Sequence, residues 1–229
     1  MDRLASGNNV MMGKALTAIV ILAVFASTGC VSSTIQQVRQ GETGIAGHEA
    51  IAILGRRHKN RDETRHSFVE CVSNRTSSGS NPISVIGDKA FLDSLFPWFE
   101  PRTAPLELTE LGRLVARPEI AQRIKEIGVR YIVWIEGTTE RRDQAGTLQC
   151  AVASGGLPAC FGFLSWEGAS DYEATIWDIS NQINVGKLSS EARGVSFVPA
   201  VIVPLPFIAR VQASACNTLA DQIKSFITG

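Results

Sequence analysis

The chain has 229 residues, 45% of them hydrophobic and 19% charged, and its 22 Lys and Arg balance 22 Asp and Glu. At roughly 100–200 residues per domain this is one domain with an appended segment, and it is too apolar and too weakly charged for intrinsic disorder. Balanced charge supplies no clustered cations for a phosphate backbone, so no nucleic-acid partner is expected.

The first element is an address. Residues 15–26 form an apolar run interrupted only by Thr17, preceded by Lys14. About 20 apolar residues are needed to cross a bilayer as a helix, so twelve suit the core of a signal peptide. Ala26-Ser-Thr-Gly-Cys30 follows and resembles a bacterial lipobox, in which cleavage precedes a Cys that takes lipid on its sulfur. The match lies at Thr28, Gly29 and Cys30; Ser27 stands where that family carries Leu or another aliphatic residue. Ordinary signal-peptidase cleavage and an uncleaved anchor are the competing readings. The polar stretch before Lys14 is long, and Met1, Met11 and Met12 are alternative starts.

The resulting division is a lipoprotein signal over 1–29, a lipidated Cys30 with a flexible tether over 30–46, and a single α/β (α+β) domain over 47–229. The tether is read from its Ser, Thr, Gln and Gly content. A first strand covers residues 49–55. A polar connection leads to a helix near residues 61–74, with Asn60 and Glu63 at capping-box spacing and Asp62 as a rival cap. Phe68, Cys71 and Val72 mark its apolar face. A Ser-rich loop over 77–82 precedes a short strand, 83–86. Residues 91–99 pack three Phe, two Leu and a Trp, read as buried helix rather than a partner surface.

Pro118 at a first helical position and Gly128 as a stop frame the next helix. Residues 129–135 form a strongly apolar strand, and 172–179 with 183–192 form a hairpin turning at 180–182. A last helix from near Pro206 carries Ile208, Val211, Ala215, Leu219, Ile223 and Phe226 at helical spacing. The expected fold is one sheet of about five strands covered by helices, in the order β-α-β-α-β-β-β-α.

Three stretches, Gly128-Val-Arg-Tyr-Ile-Val-Trp-Ile-Glu-Gly137, Ala174-Thr-Ile-Trp-Asp-Ile-Ser180 and Ala215-Cys-Asn-Thr-Leu-Ala-Asp-Gln-Ile223, resemble the periplasmic domain shared by the curli-secretion lipoprotein and the TolB N-terminal domain. The resemblance would cover about residues 47–229 and implies a periplasmic domain. No obvious pair of long amphipathic hairpins of the kind the curli protein uses for its pore is present, so a secretion channel is not implied. A closer resemblance is to a family of proteobacterial lipoproteins of unassigned function, through Cys160-Phe-Gly-Phe163 and Tyr172-Glu-Ala-Thr-Ile-Trp-Asp178.

Catalytic patterns fail one by one. His48-Glu49 lacks the second His of a zinc-protease helix, because position 52 is Ala. His58 and His66 are eight apart, and Cys150 and Cys160 are ten apart, neither a zinc-ligand spacing. No Gly-x-Ser-x-Gly elbow occurs, and Ser154-Gly-Gly156 is followed by neither Lys nor a helix. No catalytic residue, metal or cofactor is expected. The basic run of residues 56–65 reads as a solvated face, with anionic lipid as the alternative.

With Cys30 assigned to lipid, Cys71, Cys150, Cys160 and Cys216 remain, an even number that fits two disulfides in an exported domain. Cys150 and Cys160 flank a Gly-Gly turn, so a local bridge closes readily. Cys71 and Cys216 lie on apolar faces of the first and last helices, and pair if those helices lie side by side. Between Cys150 and Trp166 the chain is small and apolar. Leu157, Phe161, Phe163 and Trp166 are therefore candidates for a loop that enters a partner groove or a membrane surface, or packs against its own domain. The functional expectation is a non-enzymatic cell-envelope lipoprotein, held to a membrane by its lipid, facing the periplasm and binding an envelope protein. The alternative is an envelope hydrolase with an unrecognised site.

Overall fold

The computed structural model describes residues 30–57, 64–100, 104–152, 156, 158–204 and 206–229. In chain order the elements are β1 (Val31–Arg39), β2 (Ala50–Gly55), α1 (His66–Thr76), β3 (Val85–Ile86), α2 (Asp88–Ser94), α3 (Leu108–Val115), α4 (Pro118–Glu126), β4 (Val129–Val152), β5 (Pro158–Asp178), β6 (Ile183–Pro204) and α5 (Val211–Thr228). The fold is α+β with one mixed sheet covered by helices, ordered β1-β6-β5-β4-β2-β3. The expected class holds; the sheet has six strands rather than about five.

The chain divides into two compact units. The larger comprises Val31–Arg141, Gly168–Arg193 and Arg210–Gly229. Its centre is β2, an unbroken apolar run paired in parallel with β3 on one side and β4 on the other. Such a run needs cover on both faces. Ala52, Leu54, Ile132 and Trp134 point to the side packed by Phe91, Leu95, Leu111, Ile120 and Ile124 of the α2–α4 region. The alternate residues Ile51, Ile53, Tyr131 and Val133 are equally buried, on the side where α1 and α5 pack together. Helices of seven to nine residues are marginal alone. The burial of Phe91, Leu111, Ile120 and Ile124, at about 1.5–3 kcal/mol each, is what holds α2–α4.

The smaller unit comprises Arg142–Glu167 and Gly194–Ala209, and Cys30 belongs to it. Here β4 and β5 form a ribbon whose close approach depends on glycine. Gly146 and Gly162 have φ of 86° and 130°, and a Cβ on either would collide with the carbonyl oxygen of Phe163 or Thr147 on the facing strand. After β6 the chain folds back, and Phe197 and Phe207 exchange two backbone hydrogen bonds of 3.0 and 2.9 Å. Their rings stack at 4.6 Å.

Several expectations are corrected. Residues 31–39 are a strand, not a tether. Ser32 Oγ donates to the Arg193 carbonyl, the Gln40 amide donates to the Val185 carbonyl, and the Arg39 guanidinium lies 4.1 Å over the Phe226 ring. Thr43 donates to the Phe226 carbonyl, and Gly44 and Tyr131 Oη bond reciprocally at 3.1 and 2.8 Å. The two compact units divide the expected domain of 47–229 and also take in residues from the expected tether. Beyond the expected strand at 129–135, β4 runs to Val152, and β5 begins at Pro158 rather than Tyr172. The apolar stretch expected to project between Cys150 and Trp166 therefore lies largely within β4 and β5. The expected helix over 91–99 ends at Ser94; Phe91, Leu95 and Phe99 are buried there while Phe96 is 67% exposed. Helix α3 was not expected. Helix α5 starts at Val211 rather than near Pro206, leaving Ile208 exposed. Helix α1 starts at His66, and its N-cap Arg65 makes no side-chain cap. The capping-box residues Asn60, Asp62 and Glu63 lie outside the described residues, as do His58, Leu157 and residues 1–29.

Candidate functional site

Both expected disulfides are present. Cys71 of α1 and Cys216 of α5 are bonded with Cα atoms 6.2 Å apart. Cys150 of β4 and Cys160 of β5 are bonded with Cα atoms 4.0 Å apart. Disulfides persist in oxidising compartments, so the pair points to an extracytoplasmic location. Cys30 is exposed, is not in a disulfide, and stands one residue before β1.

The small unit gathers the aromatic candidates. Phe161 and Phe163, two positions apart on β5, present the same face and are 58% and 47% exposed. Trp166 is half-buried. Val152, Val195 and Ile208, none of them singled out by sequence, are also exposed in this unit. Five of the eight exposed large hydrophobic residues among those described thus lie in the smaller unit. The sequence carries a signal for this: residues 144–166 contain no charged side chain, and neither does Gly194–Ala209. Charges resume at the margins, at Arg141, Arg142, Asp143, Glu167, Arg193 and Arg210.

In the larger unit two polar clusters join β4 and β5. Arg130 Nη2 donates to Asp178 Oδ2 at 2.9 Å. Burial opposes its charge, yet the Tyr131 side chain and the charge of Asp178 hold the guanidinium above its ordinary value. Burial pushes the Tyr172 phenol above its ordinary value, opposed by the hydrogen bond with Thr139 and by the charge of Arg65. Thr139 Oγ1 lies 2.8 Å from Ser170 Oγ and 3.0 Å from Tyr172 Oη. Among the described residues no group of three or more His, Cys, Asp or Glu converges as a metal site, and no helix is long and apolar enough to cross a membrane.

The basic run 56–65 is only partly a solvated face. Arg56, Arg57, Arg65 and His66 line a cleft with Trp134 and Phe99, a convergence no local spacing reveals.

No family model matches the chain, and no curated protein does. Solved structures similar to the chain include two forms of one dodecamer. The PelC dodecamer from Paraburkholderia phytofirmans is 11% identical over 86% of this chain and 99% of that one, with a TM-score of 0.43. A single-substitution variant of the same dodecamer is 11% identical over 86% and 100%, with a TM-score of 0.42. At that level the likeness extends to no statement about what this chain does.

Proposed function

We propose that the protein is a non-enzymatic envelope lipoprotein, lipidated at Cys30, facing the periplasm, whose larger unit binds another envelope component while the smaller unit meets the membrane. The observation that carries this reading is the composition of the smaller unit: two charge-free stretches, exposed Val152, Phe161, Phe163 and Val195, and Cys30 in the same unit. Exposed apolar side chains concentrated in one charge-free unit support a membrane or partner surface there. One acyl chain binds a bilayer only marginally, and a second signal makes attachment stable; the ribbon supplies one beside the lipid on Cys30. The Arg residues at its margins add attraction to anionic headgroups. With β1 starting at Val31, little slack separates that lipid from the sheet. The resemblance to the curli-secretion and TolB domain enters only as an expectation of a periplasmic fold.

Metabolic labelling with a palmitate analogue tests the reading. The native chain is expected to take label and sediment with membranes, and Cys30→Ala to take none. Equal labelling of the two overturns it.

A further inference from the structure

We infer that the larger unit holds a binding cleft for an amphiphilic anion, an oxyanion head on a short apolar body, at the carboxyl end of β2. This rests on residues outside the smaller unit and stands whether or not the chain is lipidated.

Topology places the cleft. From β2 the chain passes through α1 to β3 on one side; from β3 it passes through α2–α4 to β4 on the other side of β2. The two crossovers pack on opposite faces of the sheet. A crevice opens beyond strand ends where successive crossovers diverge in this way, and ligands of open parallel sheets sit there. The observed cleft lies at that position, between Gly55 at the end of β2, the start of α1, and α2. Its volume is 480 Å³, within the range of roughly 300–1,000 Å³ for small-molecule sites.

Its walls are chemically divided. Leu92, Phe99 and Trp134 supply apolar surface, and Arg56, Arg57 and Arg65 supply charge. Glu136 organises the junction between them. Its Oε2 accepts from Arg56 Nη1 at 3.0 Å and its Oε1 accepts from Trp134 Nε1 at 2.8 Å. Each carboxylate oxygen thereby takes one of the two side chains, tying Arg56 and Trp134 to the same group. Among the described residues Arg56 Nε is buried without a hydrogen-bond partner, and a buried donor of that kind calls for an acceptor. Arg57 and Arg65 are exposed, with planar forks that match carboxylate and phosphate oxygens. The carboxylate on the lining, Asp88, stands 3.8 Å from His66 Nε2. Glu136 offsets Arg56, so among the described residues Arg57 and Arg65 stand against Asp88 alone and leave the lining net cationic.

The test titrates the full chain in lipid nanodiscs, free of competing detergent, with hexyl phosphate, hexanoate, inorganic phosphate and hexanol, and with empty nanodiscs subtracted. Saturable binding of hexyl phosphate or hexanoate is expected, at least tenfold tighter than inorganic phosphate or hexanol. The tighter of the two heads identifies a phosphorylated or a carboxylate ligand. Replacing both exposed arginines, Arg57→Gln with Arg65→Gln, is expected to weaken that binding at least tenfold with the melting temperature unchanged. Absence of saturable binding, equal binding of hexanol, or indifference to the double substitution overturns the inference.

Discussion

Arg130 at the start of β4 and Asp178 at the end of β5 form an ion pair whose carboxylate is fully buried, Nη2 to Oδ2 2.9 Å. Asp178 also receives the Asn181 backbone amide at 3.0 Å and the Asn181 side-chain amide at 2.9 Å, so one carboxylate both pairs two strands and fixes the turn into β6. Removing one member of a buried pair strands the other's charge, and the usual loss is about 3–5 kcal/mol. Asp178→Ala is therefore expected to lower unfolding free energy by that amount in denaturant titration. A loss under about 1 kcal/mol would show that the pair is solvated and holds nothing.

The Cys71–Cys216 bridge closes a span of 145 residues between α1 and α5. The chain-entropy model assigns such a loop about 5 kcal/mol, and measured bridges range from about 0 to 5. Replacing both cysteines by Ala is expected to lower the guanidinium midpoint well beyond the effect of Cys150→Ala with Cys160→Ala, whose loop is ten residues. Equal midpoints for the two double variants would contradict this.

The bridges were legible because each needed little: Cys150 and Cys160 are local, and Cys71 and Cys216 sit on apolar stripes that had to be buried. The edge strand β1 was hidden because Val31-Ser-Ser-Thr-Ile-Gln-Gln-Val-Arg39 buries almost nothing, so its composition resembles a linker. Its order comes from distant partners such as Val185, Arg193 and Phe226. The extensions of β4 and β5 were hidden for a related reason. The outer half of β4 is exposed along nearly its whole length and carries no buried stripe to mark a strand, and Gly146 and Gly162 read as breakers although both are needed for the strands to approach. The cleft at Arg56 needed coordinates, since Glu136 and Trp134 reach it from another strand.

Tyr172 sets an alkaline limit. Its ring stacks on Phe68 at 3.5 Å, and its phenol is raised in the folded state by burial. The unfolded chain ionises near pH 10 while the folded phenol still holds its proton, so the contribution is complete below about pH 10 and is lost as pH rises through the folded value. Melting temperature is expected to fall between pH 9 and 11 more steeply for the native chain than for Tyr172→Phe. Parallel curves would remove Tyr172 as the cause.

The ribbon can be separated from the lipid. In a Cys30→Ala background no acyl chain holds the protein, and what attachment remains belongs to the smaller unit. Phe161 and Phe163 already face solvent, so Phe161→Asp with Phe163→Asp buries no charge and is expected to change the melting temperature little. On vesicles containing anionic lipid, the same pair of substitutions is expected to reduce binding at least tenfold, since two aromatic side chains of about 1.5–3 kcal/mol each no longer leave water. A large drop in melting temperature with vesicle binding intact would place these rings in the protein's own packing and remove the membrane from the account of this unit.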